Sequence, residues 1–228
     1  MKSLWFVLLG GTNGLLLALY LAYAVAVSHP GWALAGLFSD PRMALDMDRG
    51  YAEVFGYVQE FWVVLAALGL VWLRRAPAYL AWALLFAYLL LDDFYGLHEA
   101  LAPLVAARAG LGPVGGLEPA EAAELLVLLG VGLALAGVVA LAYGLARPET
   151  RAQFRQIVPL VLLLPVFGVV VDAVHEKFVE GRFNLWLELL EDGGEMVAIS
   201  LVCWKFLELL AGALEAGRIA PPETGLPH

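Results

Sequence analysis

Six long apolar stretches limit what this chain can fold into. They cover residues 3–28, 51–73, 78–102, 119–146, 157–178 and 185–213. Each reaches the roughly 20 residues that an α-helix needs to cross the hydrocarbon core of a bilayer. The sequence therefore predicts an all-α fold, a six-helix transmembrane bundle.

Composition supports a membrane protein and excludes several other classes. Apolar residues make up 62% of the 228 residues and charged residues 15%, against about 45–50% and 25% in soluble chains. A soluble domain of this size has too little polar surface to cover so much apolar area. The net charge of −9 argues against nucleic acid, which binds basic surfaces. The expected partner is the lipid bilayer, and the sequence does not indicate an oligomeric state.

The distribution of Lys and Arg predicts the orientation, because cytoplasmic loops are enriched in both. With the N-terminus inside, the cytoplasmic side carries Lys2, Arg74, Arg75, Arg147, Arg151, Arg155, Lys205 and Arg218. The opposite side carries Arg42, Arg49, Arg108, Lys177 and Arg182. We therefore expect a bacterial inner-membrane protein with both termini in the cytoplasm. Residues 1–216 are predicted to form one transmembrane domain, and 217–228 a disordered cytoplasmic tail.

Ionisable residues inside four of the spans are the main functional signal. An Asp, Lys or Arg at mid-helix costs roughly 2.5–3.5 kcal/mol on insertion scales, so such residues usually serve a function. Nine carboxylates and two histidines fall there: Glu60, Asp92, Asp93, His98, Glu99, Asp172, His175, Glu176, Glu191, Asp192 and Glu195. The predicted topology brings them all to the outer half of the bundle.

Helical spacing predicts that these groups point in common directions. In the third span Tyr88, Asp92, Tyr95 and Glu99 follow steps of four, three and four residues, which is one face of a helix. In the sixth span the pair Gly193-Gly194 predicts a kink or an opened turn beside the acids.

The residue types indicate a metal site. No Lys or Arg is predicted at this depth, so the carboxylates must take up protons or bind a cation. Carboxylates with two histidines on four helices are the ligands of dimetal carboxylate bundles, and Asp172 and His175 have the i, i+3 spacing seen there. Fe, Mn or Zn suits these donors. The predicted ligands are Asp92, His98, Glu99, Asp172, His175, Glu176, Glu191 and Glu195. Glu60, Asp93, Tyr95 and Asp192 are predicted beside them, with Tyr95 as a hydrogen-bond donor.

Two functions fit such a site. One is a metal-dependent hydrolase or oxidase that acts on a lipid-like or other small-molecule substrate, with the metal activating water or dioxygen. The alternative is a metal-ion or proton-coupled transporter that uses the same acids. An enzyme needs a polar path from one side of the membrane, whereas a transporter needs paths from both. The inner halves of the spans are almost wholly apolar, apart from Thr12 and Asn13, which favours the enzyme.

Two motifs carry a family resemblance. Residues 91–99, LDDFYGLHE, and residues 190–196, LEDGGEM, resemble a group of uncharacterised bacterial polytopic membrane proteins. These proteins have an acidic pair before His-Glu and a later acidic helix. The resemblance implies a polytopic membrane protein and no particular activity.

Overall fold

The structure, a computed structural model, describes residues 2–113, 118–175 and 184–219. All regular elements in this part of the chain are helical, which confirms the predicted helical bundle. Five helical segments are long and apolar enough to cross a membrane: Leu4–Ser28, Tyr51–Arg74, Pro119–Leu145, Pro148–Val171 and Asn184–Ala216. A bent pair of helices, Tyr79–Tyr95 with Leu97–Ala109, is a sixth candidate.

Nine α-helices are described. They are α1 (Lys2–Ser28), α2 (Tyr51–Arg74), α3 (Tyr79–Tyr95), α4 (Leu97–Ala109), α5 (Pro119–Leu145), α6 (Pro148–Val161), α7 (Leu163–Pro165), α8 (Asp172–His175) and α9 (Asn184–Ile219). A π-helix, Val166–Val171, joins α7 to α8, and two short 3₁₀ turns lie between α1 and α2.

Helix α9 lies at the centre of the packing, against α1, α2, α6 and the π-helix. Side-chain contacts fix the directions. Helix α1 runs antiparallel to α9, because Asn13 contacts Ser200 and Phe6 contacts Trp204. Helix α2 runs parallel to α9, because Gln59 contacts Ser200 and Arg74 reaches the carbonyl oxygen of Leu209. The starts of α2 and α9 therefore share one end of the bundle, here called the acidic end.

The other half of the bundle, here called the basic end, contains a packed aromatic core. Tyr79, Trp82, Phe86, Phe154 and Phe206 are each at most 1% exposed. Their rings meet edge to face, with centroids 5.3 Å apart for Trp82 and Phe154 and 6.1 Å apart for Phe86 and Phe206. Such close packing fills the space between α3, α6 and α9.

The predicted third span, 78–102, is wrong as a single straight helix. Helix α3 ends at Gly96, whose φ of +60° is the left-handed conformation that terminates helices. Helix α4 then leaves at 83° to α3. Hydropathy cannot detect this bend, because the apolar sequence continues through it. His98 and Glu99 consequently lie on α4, so Glu99 is not on the predicted face of α3.

The Gly193-Gly194 pair has a different role from the predicted opened turn. Helix α9 stays helical through both residues, and the altered helical turn lies opposite, in the π-helix. A Cβ atom on Gly194 would collide with the ring of Phe167, and one on Gly168 would collide with the carboxyl group of Glu195. The glycines thus let α9 and the π-helix approach closely. The fifth span also begins earlier than predicted, at Pro148 and not at residue 157.

Candidate carboxylate–histidine site

The bend between α3 and α4 is held by Asp92. This residue is 3% exposed, and its Oδ1 accepts a hydrogen bond from the backbone N–H of His98 at 2.9 Å. Its Oδ2 lies 3.0 Å from His98 Nδ1. The carboxylate therefore caps the first turn of α4 and orients the imidazole. A proton on Nδ1 leaves the lone pair of His98 on Nε2, the form that binds metals.

A second group of carboxyls joins α2, α3 and α9. Glu60 is 5% exposed, and its carboxyl group lies next to that of Asp93. Glu195 lies close enough to both to interact electrostatically. Asp93 is exposed as a residue, although its carboxyl group faces Glu60. These three groups, here called the carboxyl cluster, bring together acids that are far apart in the sequence.

A second imidazole lies where the fifth span ends. His175 Nδ1 is 2.5 Å from Glu191 Oε2, and His175 Nε2 is 2.8 Å from Asn184 Oδ1. The side chains of His175 and Glu191 are 15% and 16% exposed. Asp172, one turn before His175, is also a neighbour of Glu191. Both ring nitrogens of His175 therefore have partners already.

The other predicted residues are less enclosed. Glu99 has a side chain 69% exposed and lies 3.9 Å from His98 Nε2. Tyr95 is 64% exposed and packs against the ring of Phe94, so the structure does not place it as a donor to the acids. Asp192 is half-buried and interacts electrostatically with Glu195. Glu176 lies outside the described residues, as do residues 220–228 of the predicted tail.

The predicted acids of α2, α3 and α9 thus gather in one region, whereas the two histidines belong to separate carboxylate–imidazole pairs. Within residues 2–113, 118–175 and 184–219, no three side chains of His, Cys, Asp or Glu form a group that could hold one metal ion. Metal binding therefore stays a prediction.

Buried polar residues beyond the predicted set lie deeper in the bundle. Ser200 Oγ donates a hydrogen bond to Gln59 Oε1 at 2.6 Å and accepts one from Asn13 Nδ2 at 3.0 Å. These three residues, here called the polar node, are at most 5% exposed. The sequence analysis noted Asn13 but missed Gln59 and Ser200. The signal for Gln59 was its place in an apolar span directly beside Glu60.

Comparison with models of protein families assigns the chain to a family. The model of a family described as a domain of unknown function (DUF8692) matches residues 12–209. The chain belongs to this family. Neither the curated proteins nor the solved structures contain a match to the chain.

The region matched by DUF8692 contains every element of the site. It runs from the middle of α1 to the last third of α9, so it includes the polar node, the carboxyl cluster and both carboxylate–imidazole pairs. The candidate site is therefore part of the segment that defines the family, and not of a terminal extension.

Proposed function

We propose that this chain is a membrane metalloprotein that binds a transition-metal ion at its carboxylate and histidine side chains. The observation that carries the proposal is the carboxyl cluster itself. Glu60, Asp93 and Glu195 come together from three helices, and no Lys or Arg side chain among the described residues pairs with them. Buried carboxylates need protons or a cation to offset their charge.

The chemical types of the donors suit such an ion, although side chains would have to move to gather around it. Glu60 Oε2 is buried and has no hydrogen-bond partner among the described residues, so a carboxylate oxygen is free to bind. His98 has the carboxylate–histidine pairing that commonly orients metal ligands. His175 would have to release Asn184 before its Nε2 could bind. Oxygen and imidazole donors together suit Fe, Mn or Zn.

The shape of the bundle favours an enzyme over a transporter. Polar groups extend from the acidic end to the polar node, and the aromatic core of Trp82, Phe86 and Phe206 fills the bundle beyond it. A site that polar residues connect to one end only supports the hydrolase or oxidase proposal, in which a bound metal would supply activated water or dioxygen. Alternating access in a metal-ion or proton-coupled transporter would require this core to open.

An apolar slot beside the cluster supports a lipid-like substrate. The slot has a volume of about 480 Å³, and its lining includes Leu17 of α1, Phe167 of the π-helix and Gly193-Gly194 of α9. Phe167 precedes Gly168, against which Glu195 packs. An alkyl chain in the slot would therefore lie close to one member of the carboxyl cluster. We propose that such a substrate enters from the outer leaflet of a bacterial inner membrane.

Metal analysis after gentle detergent extraction tests the proposal. We expect roughly one or more equivalents of transition metal per chain, with binding lost in Glu60→Gln, His98→Ala and His175→Ala. If both histidines serve one site, their effects on thermal stability should be non-additive, because either substitution alone empties it.

Leu89→Ala is the matched control, since it removes packing atoms in α3 and should retain the metal. If the protein neither contains metal nor rebinds it, the proposal is excluded. Protons would then be what neutralises the carboxyl cluster. Additive losses with metal retained would mean that the two histidines are separate packing residues.

A further inference from the structure

The turn from α5 to α6, at the basic end of the bundle, holds two arginines against one tyrosine. Arg151 donates from Nε to the carbonyl oxygen of Tyr143 at 3.1 Å and from Nη2 to that of Gly144 at 2.6 Å. Its guanidinium carbon also lies 5.8 Å from the centre of the Tyr143 ring. Arg155 donates from Nε to the hydroxyl oxygen of Tyr143 at 3.0 Å. Two positive charges, one helical turn apart on α6, are thus held beside the same aromatic ring.

The two arginines lack an acidic partner. No ion pair within residues 2–113, 118–175 and 184–219 includes either of them. A guanidinium group has five N–H donors. The described hydrogen bonds of Arg155 use only Nε, which leaves the four donors of its Nη atoms, and those of Arg151 leave three donors. Arg155 is exposed and Arg151 is half-buried, so an anion from outside the bundle can reach them.

An exposed apolar stripe continues from the arginines along the same face of the fifth span. Arg151, Arg155, Val158 and Leu162 follow steps of four, three and four residues, which is one face of a helix. Val158 is 36% and Leu162 57% exposed, whereas Ile157, on the side toward the core, is 0% exposed. From Arg155 to Leu162 the stripe runs about 10 Å, at 1.5 Å per residue. Positive charge followed by an apolar stripe matches a phospholipid, which has a charged headgroup at one end of its acyl chains.

Phosphate is the anion that suits these groups, because guanidinium groups bind its oxygens through paired N–H donors. We propose that Arg151 and Arg155 bind the phosphate group of an anionic phospholipid in the leaflet around the basic end, with an acyl chain along Val158 and Leu162. A zwitterionic lipid has its own ammonium group beside the phosphate, so it would neutralise the two arginines less well. The site lies at the opposite end of the bundle from the carboxyl cluster, and it does not depend on whether that cluster binds a metal.

Native mass spectrometry of the detergent-solubilised protein tests this site. The protein is mixed with equal amounts of phosphatidylglycerol and phosphatidylcholine that have the same acyl chains, and the lipids retained on it are counted. We expect phosphatidylglycerol to be retained in preference. Arg155→Gln should lower its retention about fivefold, the usual attraction of one basic residue to an anionic lipid surface. Tyr143→Phe keeps both charges but removes the acceptor for Arg155 Nε, so it should lower retention about twofold or more.

Arg75→Gln is the matched control. Arg75 is also exposed and lies at the end of α2, outside the site, and its loss changes the net charge by the same amount. We expect Arg75→Gln to retain phosphatidylglycerol as the wild type does. Equal losses in Arg75→Gln and Arg155→Gln would overturn the proposal, because net charge would then explain the attraction. Equal retention of the two lipids by the wild type would overturn it as well.

Tyr143→Phe serves as the second variant, should Arg155→Gln not fold, because net charge alone predicts no change in it. A repeat with a large excess of inorganic phosphate separates the two sources of the phosphate group. Retention of phosphatidylglycerol under these conditions supports a lipid site. Its displacement would overturn the proposal and indicate a site for free phosphate.

Discussion

At the scale of single residues, Asp92 combines two tasks that can be separated. One oxygen caps α4 by accepting from the backbone N–H of His98, and the other orients the His98 imidazole. Capping needs a hydrogen-bond acceptor for the backbone N–H of His98. Orienting the ring needs a second acceptor, for the proton on Nδ1. Asn supplies the first and replaces the second oxygen by a donor.

We therefore predict different outcomes for two substitutions of Asp92. Asp92→Ala removes the acceptor for the backbone N–H of His98 and should lower the free energy of unfolding by about 0.5–2 kcal/mol, the range for losing a side chain that caps a helix. Asp92→Asn should keep most of that stability, because Asn caps about as well as Asp. Its amide N–H would face Nδ1 and move the imidazole proton to Nε2.

Metal affinity should then fall roughly 10–100-fold in Asp92→Asn, as it does when the partner of a metal-bound histidine is lost. Denaturation curves and metal titration of the two variants measure both effects. Equal metal affinity in wild type and Asp92→Asn would show that His98 is not a ligand.

The sequence identified the residue types of the site but not all of their contacts. Apolar spans made Glu60 and Glu195 conspicuous, since acids there are costly. On a straight helix His98 would point away from Asp92, six residues earlier, because six steps of 100° leave the two side chains about 120° apart around the axis. The left-handed Gly96 brings the two together, and one glycine in an apolar run did not predict that.

At the scale of helices, the slot follows from how three spans meet. Helix α1 and the π-helix both pack on α9, and within the described residues they do not pack on each other. Between them α9 presents Gly193 and Gly194, which have no side chains to fill the gap. The slot runs along α9 from Leu189 to Ala198, roughly 14 Å at 1.5 Å per residue. Leu190 and Val197, at 51% and 40% exposure, keep it open to the surface.

We predict that a photoreactive alkyl probe labels this slot. Labelling should fall several-fold in Gly193→Leu, whose side chain would occupy the gap beside Leu17. A Cβ atom on Gly193 meets the flexible end of Leu17 at 3.3 Å, so the change can be accommodated.

Gly137→Leu is the control for the slot. Gly137 lies on the apolar α5, and a Cβ atom there meets nothing within 4 Å. Mass spectrometry of the labelled peptides gives the sites. Labelling that is even over α5 and α9, and insensitive to Gly193→Leu, would mean that only bulk lipid contacts this surface.

At the scale of the whole molecule, the bend at Gly96 changes the path of the chain, but the number of times the chain crosses the membrane remains even. Helix α3 has 17 residues, about 25 Å of helix, and carries the chain from the basic end to the acidic end. Helix α4 then turns aside, and α5 ends near Arg147 at the basic end. With α1, α2, the fifth span and α9, the described helices make six passes when the bent pair counts as one, so the start of α1 and the end of α9 lie at the same end of the bundle.

Charge decides which side that end faces. Arg74, Arg75, Arg147, Arg151 and Arg155 lie at or near the basic end, and cytoplasmic loops are enriched in such residues. We therefore predict that a fluorescent protein active only in the cytoplasm is active when fused after His228. A phosphatase that requires the periplasm should be active when inserted after Gly112, beyond the bend. The opposite pattern would put the carboxyl cluster in the cytoplasmic half, and a substrate would then have to enter from the inner leaflet.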